Sequence, residues 1–300
     1  MMYKKNDLKV LFGISFLLII LLNSCGGPTD NSNDNKESME QKPEQIVTGI
    51  GGIFFKCENP ESTRNWYTSN LGFLTNEYGA MFETLSLENK ISYLQWSPFS
   101  SKTKYFEPSE KSFMINYRVN NLKKLELELR NNGVTILDTI ETYEYGSFLH
   151  ILDSENNKIE LWEPIDVVFT NLYSGTTNVK STVNRIVFKA KDPNALSDWY
   201  HKNLGLILSE EGSYFEYKKN DNLESIRRLL WKPVSFDSDL FLVDNQELII
   251  GYNIDNLEGN LFKLLQSGIN IENTDKVEDG SKVANLIDID NHQLMLFDSK

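Results

Sequence analysis

Hydrophobic period changes several times along this chain, and each change marks an element. Residues 50–56, "IGGIFFK", form an apolar run rich in Ile and Phe that predicts a strand. Asn59 then offers a helix N-cap with Pro60 at the first helical position, and the helix through Trp66 stops near Asn70 with Gly72 behind it. Three short β-runs follow, "GFLTNEY", "AMFETLSL" and "ISYLQWS". The cycle then restarts: "SFMINYRV" predicts a strand, "NLKKLELELRNNG" a helix stopped at Gly133, and "VTILDTI", "SFLHILD" and "KIELWEP" three more strands. The same order returns from "NRIVFKA" to "QLMLFDS".

That return is a sequence repeat as well as a repeat of pattern. "IFFKCENPESTRNWYTSNLG" reappears as "IVFKAKDPNALSDWYHKNLG", so that Ile53, Phe55, Lys56, Pro60, Trp66, Tyr67, Asn70, Leu71 and Gly72 recur 133 residues on. At an offset of 135, Trp96 meets Trp231, Pro98 meets Pro233, Tyr117 meets Tyr252, Leu122 meets Leu257, Gly133 meets Gly268 and Asp153 meets Asp288. The chain therefore reads as a duplicated domain, with copies at 48–166 and 182–300 and a polar linker at 167–181.

The first 47 residues follow neither pattern. Lys4, Lys5 and Lys9 precede an apolar run of 13 residues, 10–22, too short for a spanning helix of about 20 residues and laid out like a secretory signal. Next comes "LNSCGG", which resembles the lipobox of bacterial lipoproteins and implies cleavage after residue 24 and lipidation of Cys25. Gly26 in place of an aspartate favours an outer-membrane address. Residues 25–47 carry too little apolar surface to offset their ordering entropy and are expected to be a flexible tether. Loss of residues 1–24 removes three Lys and one Asp and moves the formal charge from −13 to −15, which disfavours nucleic acid and anionic lipid surfaces. With Cys25 lipidated, Cys57 has no partner for a disulfide within the mature chain.

In each copy a strand ends in "F-K-x-x-[ND]-P" and a helix carries "W-Y-x-x-N-L-G". The first copy closes on "D-x-x-x-N-x-I-E-L-W-E-P". These residues resemble the vicinal oxygen chelate superfamily in its glyoxalase and bleomycin-resistance-like branch, over both copies. The resemblance implies an α+β fold of two tandem domains, each of two βαβββ modules forming an open cup-shaped mixed sheet. It also implies that the two domains pair within one chain, as a monomer or weak dimer.

Catalytic members of that superfamily hold a divalent ion in the cup with side chains of the first, fifth and eighth strands, usually His, His and Glu. By the resemblance these places fall on Gly52, Met114 and Glu160, and in the second copy on Arg185, Ile249 and Met295. One oxygen ligand of three survives in the first copy and none in the second, so the expectation is no metal cofactor. His150, alternating with Leu149 and Ile151, is expected off the core-facing side as a pocket-lining or surface residue. His201 and His292 are expected in solvent, and Cys57 as an inert small side chain.

Glu160 remains the candidate catalytic acid, and Phe54, Met114, Asn116, His150 and Trp162 are the candidate pocket lining. Three functions follow from this set. The first is a lipid-anchored protein that binds a small molecule in the first cup without metal, Glu160 meeting a cationic ligand group and Phe54 or Trp162 stacking on a flat one. The others are a metal-dependent lyase, isomerase or dioxygenase, and a non-catalytic interaction module of the cell envelope. The second copy is expected to be structural, with Arg185 filling or salt-bridging within its cup.

Overall fold

Asn59 caps its helix as the spacing requires: its side chain accepts from the backbone of Glu61 and Ser62, both at 3.1 Å, and Gly72 closes the helix in the left-handed region at φ 70°. Asp192, Pro193 and Gly205, also at φ 70°, do the same for the second copy. These two helices open the repeating unit. The computed structural model describes residues 46–173, 175–219, 222–276 and 282–298. The expected signal peptide, Cys25 and nearly all of the expected tether lie outside them.

Among the described residues the first copy runs β1 (Val47–Cys57), α1 (Pro60–Leu71), β2 (Thr75–Asn76), β3 (Gly79–Leu85) and β4 (Ile91–Ser100), then β5 (Phe113–Val119), α2 (Leu122–Asn131), β6 (Glu141–Tyr143), β7 (Gly146–Leu152) and β8 (Lys158–Pro164). After α3 (Asp166–Tyr173) the second copy repeats the order as β9 (Thr182–Ala190), α4 (Pro193–Leu204), β10 (Leu208–Ser209), β11 (Gly212–Lys219), β12 (Asn222–Ser235), β13 (Leu248–Ile254), α5 (Leu257–Gln266), β14 (Ile271–Lys276), β15 (Lys282–Ile287) and β16 (Gln293–Asp298).

Three boundaries differ from the sequence reading. Strand β1 begins at Val47, whose buried side chain faces Val119, so the first domain takes the last residue of the expected tether. The strand expected in "VTILDTI" is reduced to one bridge from Ile136 to Ile151, and β6 forms seven residues after that run begins, at Glu141. The linker starts as helix α3, because "DVVFTNLY" is apolar enough to lie against the first domain.

Each module closes on itself through a parallel pair, β1 with β4 or β5 with β8, and the modules join antiparallel through β1 and β5. The first copy thus has strand order β3-β4-β1-β5-β8-β7-β6, the second β11-β12-β9-β13-β16-β15-β14, and a pairing of Lys218 with Leu85 connects them. All seven residues of β5 are buried, so both faces of the sheet are covered there. One face, with Ile53, Ile115, Tyr117, Leu149, Ile151, Ile159 and Leu161, forms the main core with the helices. The other face is the concave side of the cup.

The repeated residues meet at the seam between the two copies. Tyr67 of α1 donates to Asp288 Oδ2 at 3.2 Å, and Tyr200 of α4 donates to Asp153 Oδ2 at 3.1 Å. Trp231 Nε1 donates to the Tyr117 hydroxyl at 2.8 Å, while Trp96 lies 4.7 Å from the Tyr67 ring and Trp231 4.7 Å from the Tyr200 ring. The helix of each copy is therefore sandwiched between its own sheet and the partner copy's second module.

Candidate functional site

Strand register sets out the first cup in rows. In the central row Gly52 of β1 stands opposite Asn116 of β5, Asn116 opposite Glu160 of β8, and Glu160 opposite His150 of β7. One row away Phe54 faces Met114, and on the other side Arg118, Trp162 and Phe148 form a third row. Phe54, Met114, Asn116, Glu160 and Trp162 are all buried, and His150 is 13% exposed at its side chain.

Glu160 is fully engaged. Its Oε1 accepts from Asn116 Nδ2 at 2.6 Å, while Oε2 accepts from His150 Nε2 at 3.0 Å and from the Tyr105 hydroxyl. The other ring nitrogen of His150 meets Asp138 Oδ2 at 2.5 Å, and its backbone amide donates to Asp138 Oδ1 at 2.9 Å. Burial works against a charged imidazole, but the carboxylates on both nitrogens outweigh it and raise the His150 pKa to about 9. Glu160 shows the reciprocal balance: burial pushes its carboxyl up, and His150 with Tyr105 and Asn116 brings it below the ordinary range. Glu160 and His150 thus form an ion pair with its hydrogen bonds satisfied.

Tyr105 comes from the connection between the modules, residues 101–112. Its ring lies flat on Phe99, 5.5 Å away at 3°, and edge-on to His150, and Lys158 Nζ holds its carbonyl at 2.7 Å. Phe106, wholly buried, fills the same end of the cup with Phe54 and Met114. The ring of Phe54 folds back over Gly52, where an added Cβ would meet its Cε1 and Cζ at 2.8 Å. At the opposite end Trp162 stacks on Phe148 at 5.9 Å and 7°, and Tyr143 on Tyr145 at 5.4 Å and 2°.

A divalent ion does not fit this donor set. The expected place of the first ligand is occupied by the Phe54 ring, Met114 stands a row away from Glu160, and both ring nitrogens of the imidazole beside Glu160 are engaged by carboxylates, Asp138 on one and Glu160 on the other. Among the described residues no group of three or more His, Cys, Asp or Glu side chains is arranged to hold a metal. One acceptor is left over, because Asn116 Oδ1 is buried in the cup without a hydrogen-bond partner among the described residues.

The second cup carries Arg185, Gly251, Met295 and Asn285 in the central row. Ile249, Val187, Val234, Val283, Met295 and Phe297 fill it as an apolar cluster, with the Arg185 guanidinium 4.8 Å from the Phe297 ring centroid. Cys57 is buried, and burial pushes its thiol up to about 12, which leaves no thiolate for chemistry at neutral pH. His201 is exposed. His292 departs from the solvated position expected for it: it is half-buried at the seam, edge-on to Phe55 and 3.3 Å from Asp288 Oδ2. A cavity of about 120 Å³ lies at that seam, lined by Phe55, Tyr67, Glu247 and His292 among others, and Glu247 is tied down there by Lys111 and Ser112.

Sequence reasoning missed four groups. Arg118 was legible, since it continues the inward alternation of Met114 and Asn116 by one more step. Tyr105 and Asp166 lie outside the predicted strands, and Asp138 lies in "VTILDTI", a run expected as a strand that the structure leaves irregular apart from one bridge.

The class these features define is the vicinal oxygen chelate fold, α+β, as two tandem domains of two βαβββ modules with a cup in each. Solved structures share it. The Mn(II)-bound glyoxalase from Novosphingobium aromaticivorans aligns with a TM-score of 0.51 at 10% identity over 84% of this chain and 82% of its own. A catechol 2,3-dioxygenase aligns with a TM-score of 0.54 at 13% identity over 85% and 89%, and the 2,2',3-trihydroxybiphenyl 1,2-dioxygenase from Sphingomonas wittichii with 0.51 at 13% identity over 84% and 91%. At such identities the likeness is one of fold. No family model and no curated protein matches the sequence.

Proposed function

We propose that this chain is a lipid-anchored binding protein that takes a small molecule in its first cup without a metal and without catalysis. The observation that carries this reading is the engagement of Glu160 by Asn116, Tyr105 and His150, in a cup whose other two expected ligand places are Gly52 and Met114. A carboxylate neutralised in this way is neither a general base nor one member of an open coordination sphere. Around it stand the features of a binding site: the aromatic walls of Trp162, Phe148 and Phe54, and the unpaired acceptor Asn116 Oδ1. The second cup serves as scaffold.

Two measurements test this. Elemental analysis of the purified chain is expected to give substoichiometric zinc, manganese, nickel and iron; one ion per chain, lost on Glu160→Gln, overturns the reading in favour of the metal-dependent lyase, isomerase or dioxygenase. Cys25→Ala is expected to move the protein from the membrane fraction to the soluble fraction, because a lipidated cysteine is the sole anchor proposed. Unchanged fractionation rules out the lipobox.

A further inference from the structure

Arg118 is a cation buried in the first cup and not used by the Glu160 network. Its side chain is 7% exposed, and its guanidinium lies 5.0 Å from the Trp162 ring centroid. Nη2 donates to both carboxylate oxygens of Asp166 at 2.7 Å, and Nη1 reaches the Tyr93 carbonyl at 3.5 Å. Asp166 is the first residue of α3, and its side chain is 34% exposed. Helix α3 closes this end of the cup through that ion pair, through Val168 against the Trp162 cluster, and through Thr170, which accepts from the Tyr93 hydroxyl at 3.1 Å. On its outer side α3 leaves Val167 66% exposed, with Ile165 just before it at 43%.

We infer that Arg118 is the anion subsite of the first cup, that the Asp166 carboxylate holds the place of a ligand's acid group, and that the ligand is an apolar carboxylate. The inference rests on the binding function proposed above and names its ligand class. A guanidinium this deeply buried needs a counter-ion, so α3 gives way only when an incoming molecule brings one. A neutral molecule of the same shape has to break the pair with no replacement. Trp162 and Phe148 then supply apolar surface beside the charge, and Asn116 Oδ1 an acceptor one row further in. This arrangement belongs to the first copy alone. Arg118 is answered in the second by Asn253, whose Oδ1 accepts from Asn184 at 2.7 Å.

Calorimetric titration of the full chain with 2-naphthoate and with neutral 2-naphthamide tests the assignment. Asp166→Asn removes the competing charge from a partly exposed position and is expected to tighten naphthoate binding about tenfold, because the competent state no longer has to displace an ion pair. Naphthamide, which meets the same cost of breaking the pair, is expected to gain as well and to stay weaker than naphthoate in both forms. Arg118→Gln is expected to abolish the preference for the acid; should it fail to fold, the acid and amide on wild type and Asp166→Asn decide alone. No gain for naphthoate overturns the anion subsite. Equal binding of acid and amide overturns it while leaving a binding cup in place, and the metal content judges the metal-free reading separately.

Discussion

Replacing Glu160 with alanine is expected to lower the free energy of unfolding by about 3–5 kcal/mol, the range for removing one partner of a buried ion pair. The loss has three sources. His150 keeps its charge but is left with Asp138 alone, Asn116 Nδ2 loses its acceptor, and so does the Tyr105 hydroxyl. Because Tyr105 and Lys158 together hold the 101–112 connection over the cup, the effect extends beyond one side chain. Urea unfolding followed by tryptophan fluorescence reads it as a lower midpoint at unchanged slope. A change within about 0.5 kcal/mol, the scatter of surface substitutions, would mean that Glu160 is solvated and not engaged.

The same pair sets a pH signature. His150 is raised in the folded chain from 6.5 to about 9, so its stabilisation is complete below 6.5 and is lost as the pH rises through about 9, ~3 kcal/mol in all. Glu160 is shifted down, so its share is present above the ordinary carboxylate range and disappears as the pH falls through its folded value. The two describe one interaction and are not added together. Thermal unfolding of the wild type is therefore expected to weaken between pH 6.5 and 9, and Glu160→Ala to flatten that alkaline limb.

Architecture was legible because it is written in period and punctuation. Asn59–Pro60 and Asp192–Pro193 open two helices, Gly72 and Gly205 close them, and the repeat made one reading confirm the other. Recurrence also marked Tyr67, Tyr117 and Asp153 before there was any reason for it; the reason is the seam, where each meets a residue of the other copy. Of the site, the strand residues Phe54, Met114, Asn116, Glu160 and Trp162 could be placed by alternation, and His150 by its phase against Leu149 and Ile151. What surrounds Glu160 could not. Tyr105 and Asp138 arrive from irregular segments, and their approach is decided by chain path. That is why a carboxylate free to meet a cationic ligand was expected where the structure has one engaged by His150 and Tyr105, and why the cation Arg118, paired with Asp166, went unread.

Asp288→Ala is expected to cost about 3–5 kcal/mol at the seam, because its wholly buried side chain serves four donors at once. Oδ1 accepts the backbone amides of Asp290 at 2.9 Å and His292 at 2.8 Å, fixing the turn before β16; Oδ2 accepts Tyr67 and the His292 ring. Asp153 does the same work opposite Tyr200, accepting the amides of Glu155 and Asn157 at 2.8 and 2.9 Å, so Asp153→Ala is expected to match it. Tyr67→Phe removes one hydrogen bond and keeps the ring against Trp96 and Tyr252, which limits its cost to about 1 kcal/mol. The ordering separates two ideas of what the recurring Asp is for. If it served only its local turn, Tyr67→Phe would be silent; if it joins the copies, Tyr67→Phe and Asp288→Ala are non-additive in a double-mutant cycle. Denaturant titration of the three variants and the double mutant decides between them, and strict additivity would remove the Tyr67–Asp288 bond from what joins the copies.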